Sequence, residues 1–142
     1  MFSDTSIKLQ FVRRLAKLSV LLTVFLFSSF TSGGDISQEI LNALEKGNAS
    51  RLAEHFATTI SITVEDQSGT YSARQGRMII QKFFSEHPPK SFQVQGSGHV
   101  SGGGSYLLGA YTSEKGIRFS VYVLWLEEGE RQKITRMTFI RN

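Results

Sequence analysis

Three histidines, one glycine-rich run and the placement of the carboxylates are what this 142-residue chain offers toward chemistry. His55, His87 and His99 are scattered, with no His-Glu-x-x-His and no paired spacing, so they carry no metal-ligand signature. His55 falls at a helix end, where a cation suits the macrodipole. His87 precedes Pro88, and His99 lies beside a turn. The stretch Gly96-Ser97-Gly98-His99-Val100-Ser101-Gly102-Gly103-Gly104 has the glycine density of a phosphate-binding loop. That mechanism needs a helix N-terminus directly after the loop. Here a strand pattern follows and no Gly-Lys-Ser/Thr is present, so the glycines suit a hairpin turn and a bulge that need positive φ. Asn48-Ala49-Ser50 fits a glycosylation sequon, but Asn48 is better placed as a helix N-cap.

General acid–base chemistry wants a carboxylate or histidine facing a buried pocket. Segments 91–113, 117–126 and 132–142, which read as strands, contain no Asp or Glu. The acids fall in turns (Asp66, Glu114, Glu127, Glu128, Glu130) or on helices (Glu39, Glu45, Glu54, Glu86), mostly solvated positions. His99 and Tyr111 are the remaining strand candidates, and neither has an evident partner. Serines and threonines are abundant, but nothing singles out a nucleophile. No catalytic residue, metal site or cofactor is therefore expected.

The elements that must hold these residues begin at Asp35, which with Gln38 resembles a capping box. Ile36, Ile40, Leu41 and Leu44 recur at helical spacing, and Gly47 sits where a C-cap belongs. A short helix from Asn48 is expected to bury Leu52, Ala53 and Phe56. Thr58 to Val64 alternates β-branched residues and reads as a strand, with a turn over Asp66–Gly69. Ser72 and Gln75 form a second capping box, opening a helix that carries Met78, Ile79, Ile80, Phe83 and Phe84 and ends at Pro88-Pro89. Four strands follow, at 91–100, 105–113, 117–126 and 132–142, as an antiparallel meander. The expected fold is α+β, one domain over residues 35–142, with N-terminal helices packed on a curved antiparallel sheet.

Turn lengths set the registers. Three-residue loops at 114–116 and 128–130 would place Tyr111 opposite Phe119, and Phe119 opposite Phe139. One face then carries Leu107, Tyr111, Phe119, Val121, Val123, Trp125, Met137 and Phe139 and is assigned to the helices. The other carries Tyr106, Leu108, Tyr122, Leu124 and Ile134, an apolar patch large enough to mark an interface. Tyr111, Phe119 and Trp125 are candidates for lining a ligand pocket; the plainer role for Trp125 is a core aromatic. Arg118, Lys133, Arg136 and Arg141 leave the sheet basic. They can receive an anionic ligand or partner, or serve as solvated strand-edge charges.

Residues 1–34 have the layout of a secretory signal: Arg13, Arg14 and Lys17, then an apolar run from Leu18 to Phe27, then Ser32, Gly33 and Gly34. Even extended to Phe30 the run is 13 residues, whereas a spanning helix needs roughly 20. Cleavage near Gly34 and an exported product, periplasmic or secreted, are expected, with no membrane association afterwards. Without Lys8, Arg13, Arg14, Lys17 and Asp4, the 16 basic and 12 acidic residues become 12 and 11, a net of +1. The basic character belongs to the signal, so a nucleic-acid partner is not expected. The absence of Cys excludes disulfides, thiolate zinc sites and lipidation at a signal-peptide cysteine.

The mature chain resembles the exported bacterial family called domain of unknown function 4783. The residues that carry this are Ala43-Leu44-Glu45-Lys46-Gly47-Asn48-Ala49, Phe83-Phe84, Pro88-Pro89-Lys90-Ser91-Phe92 and Phe119-Ser120-Val121-Tyr122. The element order also resembles the nuclear transport factor 2-like cone. The resemblance implies a cone that in other such proteins often houses isomerases or dehydratases, and an outer sheet surface where two cones commonly meet. It carries over no catalytic or binding residue. The expected function is a small non-catalytic binding or scaffold module using an apolar cone pocket or the outer sheet face, joined as a homodimer or holding a small apolar ligand or protein partner. The alternative is a small-molecule lyase or isomerase in the cone.

Overall fold

The computed structural model describes residues 36–142; the expected export signal and the expected N-cap Asp35 lie outside the described residues. Residues Gly34–Asn142 group as one compact unit. Helix α1 spans Ile36–Lys46 and buries Ile36, Ile40, Ala43 and Leu44, one face at helical spacing. Gly47 ends it in the left-handed region at φ 62. The Asn48 N–H then reaches back to the Ala43 carbonyl at 2.8 Å, a Schellman closure that a side chain at Gly47 would strain. Asn48 at once caps α2 (Ala49–Glu54), its side chain accepting from the Arg51 N–H at 3.0 Å. Helix α3 (Ala73–Glu86) opens with the expected Ser72–Gln75 capping box and buries Gly76, Ile80, Phe83 and Phe84. Gly76 permits close approach to the sheet, because a Cβ there would come within 2.8 Å of Ile60. Met78, on the other side of α3, is 66% exposed.

Among the described residues the sheet has six strands, one more than the five expected: β1 (Phe56–Val64), β2 (Gln67–Ser72), β3 (Pro89–Val100), β4 (Gly104–Ser113), β5 (Arg118–Glu128) and β6 (Arg131–Arg141). Their spatial order is β2-β1-β6-β5-β4-β3. All neighbours are antiparallel except β1 and β6, which run parallel. Phe56 belongs to β1 rather than to α2, though it is buried as expected. The expected Asp66–Gly69 turn is shorter: Val64 pairs with Gln67 across Glu65-Asp66, and β2 follows directly. Glu65 takes the positive φ, at 55°.

The β4–β5 register places Tyr111 opposite Phe119, as expected. The β5–β6 register differs. The turn is two residues, with Glu128 opposite Arg131, and a bulge falls between the Leu124–Arg136 and Trp125–Ile134 pairs. Each change shifts the pairing by one residue. Beyond the bulge the shifts combine to two, so Phe119 faces Arg141 and Val121 faces Phe139; side-chain parity is unchanged and Phe139 stays in the core. Between turn and bulge only one shift acts, so parity flips. Ile134 therefore lies opposite Trp125 and is fully buried. Its expected place in the outer patch is corrected by this register.

All eight residues assigned to the helix-facing side are buried. Phe83 on α3 sits among them, its ring centroid 4.4 Å from Phe139, 5.0 Å from Phe119 and 5.5 Å from Tyr111. This aromatic group, with Ile40, Leu44, Leu52, Ile60 and Ile80, forms one continuous core between helices and sheet.

Candidate functional site

The candidate pocket residues are core. Tyr111 and Phe119 are fully buried and Trp125 nearly so; none of the three lines the clefts described below. Tyr111 has a partner that sequence could not reveal: its hydroxyl donates to the His87 carbonyl at 2.5 Å. The His87 ring packs on Phe83 and Phe119. Burial, and secondarily the Glu114 carboxylate, pushes the Tyr111 phenol well above its ordinary value of 10.0. The folded state thus binds that proton more tightly than the unfolded chain. The resulting stability is complete below pH about 10 and is lost as pH rises beyond it. Tyr111→Phe is expected to lower the unfolding free energy by about 1–3 kcal/mol at neutral pH and to flatten the alkaline decline. Urea melts at neutral and alkaline pH check both; an unchanged alkaline slope would contradict the assignment.

The remaining sequence candidates resolve into structural roles. His99 Nδ1 lies 2.8 Å from Ser105 Oγ across the β3–β4 pair. His55 Nε2 lies 2.5 Å from Glu39 Oε2. Among the described residues no three His, Asp or Glu are grouped to hold a metal ion, and no helix is long and apolar enough to cross a membrane. The glycine run forms the β3–β4 hairpin, with Gly102 and Gly103 at φ 94 and 81.

The opposite face of the sheet carries the apolar patch. Tyr106 pairs with Leu124 and Leu108 with Tyr122, which puts the two tyrosines on a diagonal. Their rings stack at 5.9 Å with 26° between planes. Tyr106 also leans over Gly98 on β3, where a Cβ would come within 3.0 Å of the ring. Leu108 is 41% exposed. Ile140, opposite Ser120, joins this face and is equally exposed; the two-residue β5–β6 turn and the bulge decide its register. Towards β1 and β2 the face becomes hydroxylated, with the pairs Thr59–Ser72, Ser61–Thr70 and Thr63–Ser68.

Two clefts flank these features. One, of about 250 Å³, lies at the cone mouth, where Ile62, Val64, Ile79 and Phe83 make an apolar wall and Glu65, Asp66, Lys82 and Glu86 a charged rim. Both glutamates are exposed and ion-paired, Glu65 with Arg141 at 3.8 Å and Glu86 with Lys82 at 3.7 Å. The other, of about 400 Å³, is lined by Lys90, Ser91, Gln93, Gln95, Ala110, Thr112, Arg118 and Asn142. Of the four basic strand residues, then, Arg141 meets Glu65, Lys133 donates to the Glu54 carbonyl at 3.4 Å, and Arg118 enters this cleft.

A family model described as domain of unknown function (DUF4783) matches residues 37–139. No curated protein matches the chain. A solved DUF4783 family protein from Bacteroides uniformis superposes with a TM-score of 0.72 at 17% identity, over 76% of this chain and 98% of that one. Another, from Bacteroides fragilis, gives 0.68 at 17% identity, over 73% and 96%. An NTF-2 like protein of unknown function from Silicibacter pomeroyi gives 0.52 at 15% identity, over 84% and 98%. These likenesses show a shared α+β fold, helices followed by a curved, mostly antiparallel six-stranded sheet.

Proposed function

The chain belongs to the DUF4783 family, and on that footing we propose that it is a small non-catalytic binding or scaffold module, exported from the cell, that works through its outer sheet face. The observation that carries this reading is the stacked Tyr106–Tyr122 pair set among Leu108, Leu124 and Ile140. The inner side of the same strands is buried in the core shared with the helices. An apolar surface of this kind favours association. A two-fold contact suits it, because a self-complementary patch needs no second partner.

The cone offers less to the rival reading of a lyase or isomerase. A general base gains strength when held against an enclosed apolar wall. The carboxylates at the cone mouth are instead solvent-facing, and Glu65 and Glu86 are ion-paired. Aromatic side chains fill the interior.

Export follows from the layout of residues 1–34, and the exported form should begin near Asp35. Purifying the protein from its export fraction tests both parts. N-terminal sequencing is expected to show loss of Met1, and sedimentation at micromolar concentration a dimer. Tyr122→Asp is expected to give a folded monomer, because an unpaired carboxylate buried on each side of the two-fold costs roughly 3 kcal/mol or more, about a hundredfold in affinity. A monomeric wild type would remove the dimer; a retained Met1 in the membrane fraction would remove the export.

A further inference from the structure

The 400 Å³ cleft at the far end of the outer face has a composition unlike the patch beside it. The pairs Ser91–Thr112, Gln93–Ala110 and Thr112–Arg118 lie on the side opposite Phe92, Tyr111 and Phe119, hence away from the core. Small side chains, Ser91, Ala110 and Thr112, form the floor. Long ones, Lys90, Gln93, Gln95 and Arg118, stand around it. No Asp or Glu side chain lines the cleft, and neither Lys90 nor Arg118 makes an ion pair among the described residues. Two like charges lining one cleft, neither engaged in an ion pair, favour an anion.

The neutral groups narrow the choice. Gln93 and Gln95 each present a carboxamide donor and acceptor, Ser91 and Thr112 each a hydroxyl, and none has a protein partner among the described residues. Asn142 uses its Oδ1 to accept from Ser120 at 2.9 Å, which leaves its amide N–H groups free. A bare inorganic anion would engage the two cations and leave the rest of the lining to water. The volume falls in the range of small-molecule sites, about 300–1,000 Å³. A ligand that satisfies both halves carries one negative group and several hydroxyls within the span of a single ring.

We infer that this cleft binds an anionic sugar ring, a hexuronate or hexose phosphate, free or as one unit of a longer glycan. Arg118 offers paired N–H donors to a carboxylate or phosphate. Lys90 supplies the second charge, and the carboxamides and hydroxyls take the ring hydroxyls. The site begins at Ala110, one rung from the Tyr122–Leu108 pair, so a dimer through the patch would border it.

The test is an NMR titration of the isotope-labelled Gly34–Asn142 unit with glucuronate, glucose 6-phosphate, glucose, inorganic phosphate and a glucuronate oligomer. Saturable shifts at the amides of Gln93, Ala110, Thr112 and Arg118 are expected with the anionic sugars. Glucose and phosphate should each bind about tenfold more weakly or worse, the loss expected for one charge-assisted hydrogen bond. Arg118→Ala and Lys90→Ala should weaken binding by a similar factor and leave the rest of the spectrum in place. Binding by the oligomer alone supports the site and assigns its source to a polymer. Repeating the titration on Tyr122→Asp separates this site from the dimer, since binding should persist in the monomer. The inference is overturned if no anionic sugar gives saturable shifts, if phosphate alone binds as well as the sugars, or if Arg118→Ala binds unchanged.

Discussion

Phe119→Ala lowers the unfolding free energy by about 3–5 kcal/mol, the expected cost of removing a fully buried aromatic from a site that cannot collapse. Phe119 is fully buried. Its ring meets Phe83 edge-on at 5.0 Å, His87 at 4.9 Å and Tyr111 at 6.2 Å. These neighbours sit on α3, its C-cap and β4, so no single element can move in to fill the space. Part of the loss is the aromatic pairing itself, about 0.5–1.5 kcal/mol per pair beyond area burial. A urea melt of the Gly34–Asn142 unit measures the effect. A loss below about 1 kcal/mol would place Phe119 outside the core.

Ile134→Asp should be worse, and its comparison with Leu124→Asp is the more informative experiment. Ile134 is fully buried opposite Trp125. Replacement removes the aliphatic packing, worth about 2–5 kcal/mol. It also buries a carboxyl without a partner, for roughly 1–3 kcal/mol more. The sum is comparable with the whole stability of a domain, about 5–15 kcal/mol, so the variant is expected to lose cooperative unfolding. Leu124 lies across from Arg136 on the outer face, where a new carboxylate meets solvent or the arginine. Leu124→Asp should keep the fold while weakening self-association. A register with a three-residue turn and no bulge would pair the two residues and make their substitutions equivalent; a folded Ile134→Asp would support it.

Those two positions also mark how far the sequence can be read. Periodicity and caps locate α1, α2 and α3, because Gly47, Asn48 and the Ser72–Gln75 box impose local hydrogen bonds that need no distant partner. Strands β3 to β6 follow from alternation. The β4–β5 pairing follows from its turn. Ile134 is misread because the β5–β6 turn is one residue shorter than expected and a bulge then restores the parity of Met137 and Phe139; neither has a residue signature here, since Thr135 is an ordinary strand residue and the extra position is set by pairing across the sheet. Strand β2 is missed because Gln67–Ser72 carries a single large apolar side chain, Tyr71, and one side chain makes no alternation. The placement of β1 beside β6 depends on a contact between distant parts of the chain. Tyr106, Leu108, Tyr122 and Leu124 are legible as an outer patch because the strand period alone puts them on one face. The polar cleft is not, since it arises where small residues sit among long ones across three strands, and each strand by itself reads as a wet surface.

The strand order has a consequence for timing. β6 is the C-terminal strand of the described fold, yet it stands between β1 and β5 and joins the two halves of the sheet. Ile62 and Met137, neighbours across that junction, are 75 residues apart in the chain. As the chain is synthesised, the helices with the β1–β2 hairpin emerge first and the β3–β5 meander next. Each waits with an apolar face uncovered and an open edge, β1 on one side and β5 on the other. Neither can close its core until the segment Arg131–Arg141 arrives. Closing so long a loop is entropically slow, and contacts of this separation belong to chains that fold in milliseconds to seconds rather than microseconds. A nascent chain interrupted before β6 therefore presents two strand edges ready to pair with other chains, and the interval before that strand appears is when this protein most needs shelter from its neighbours.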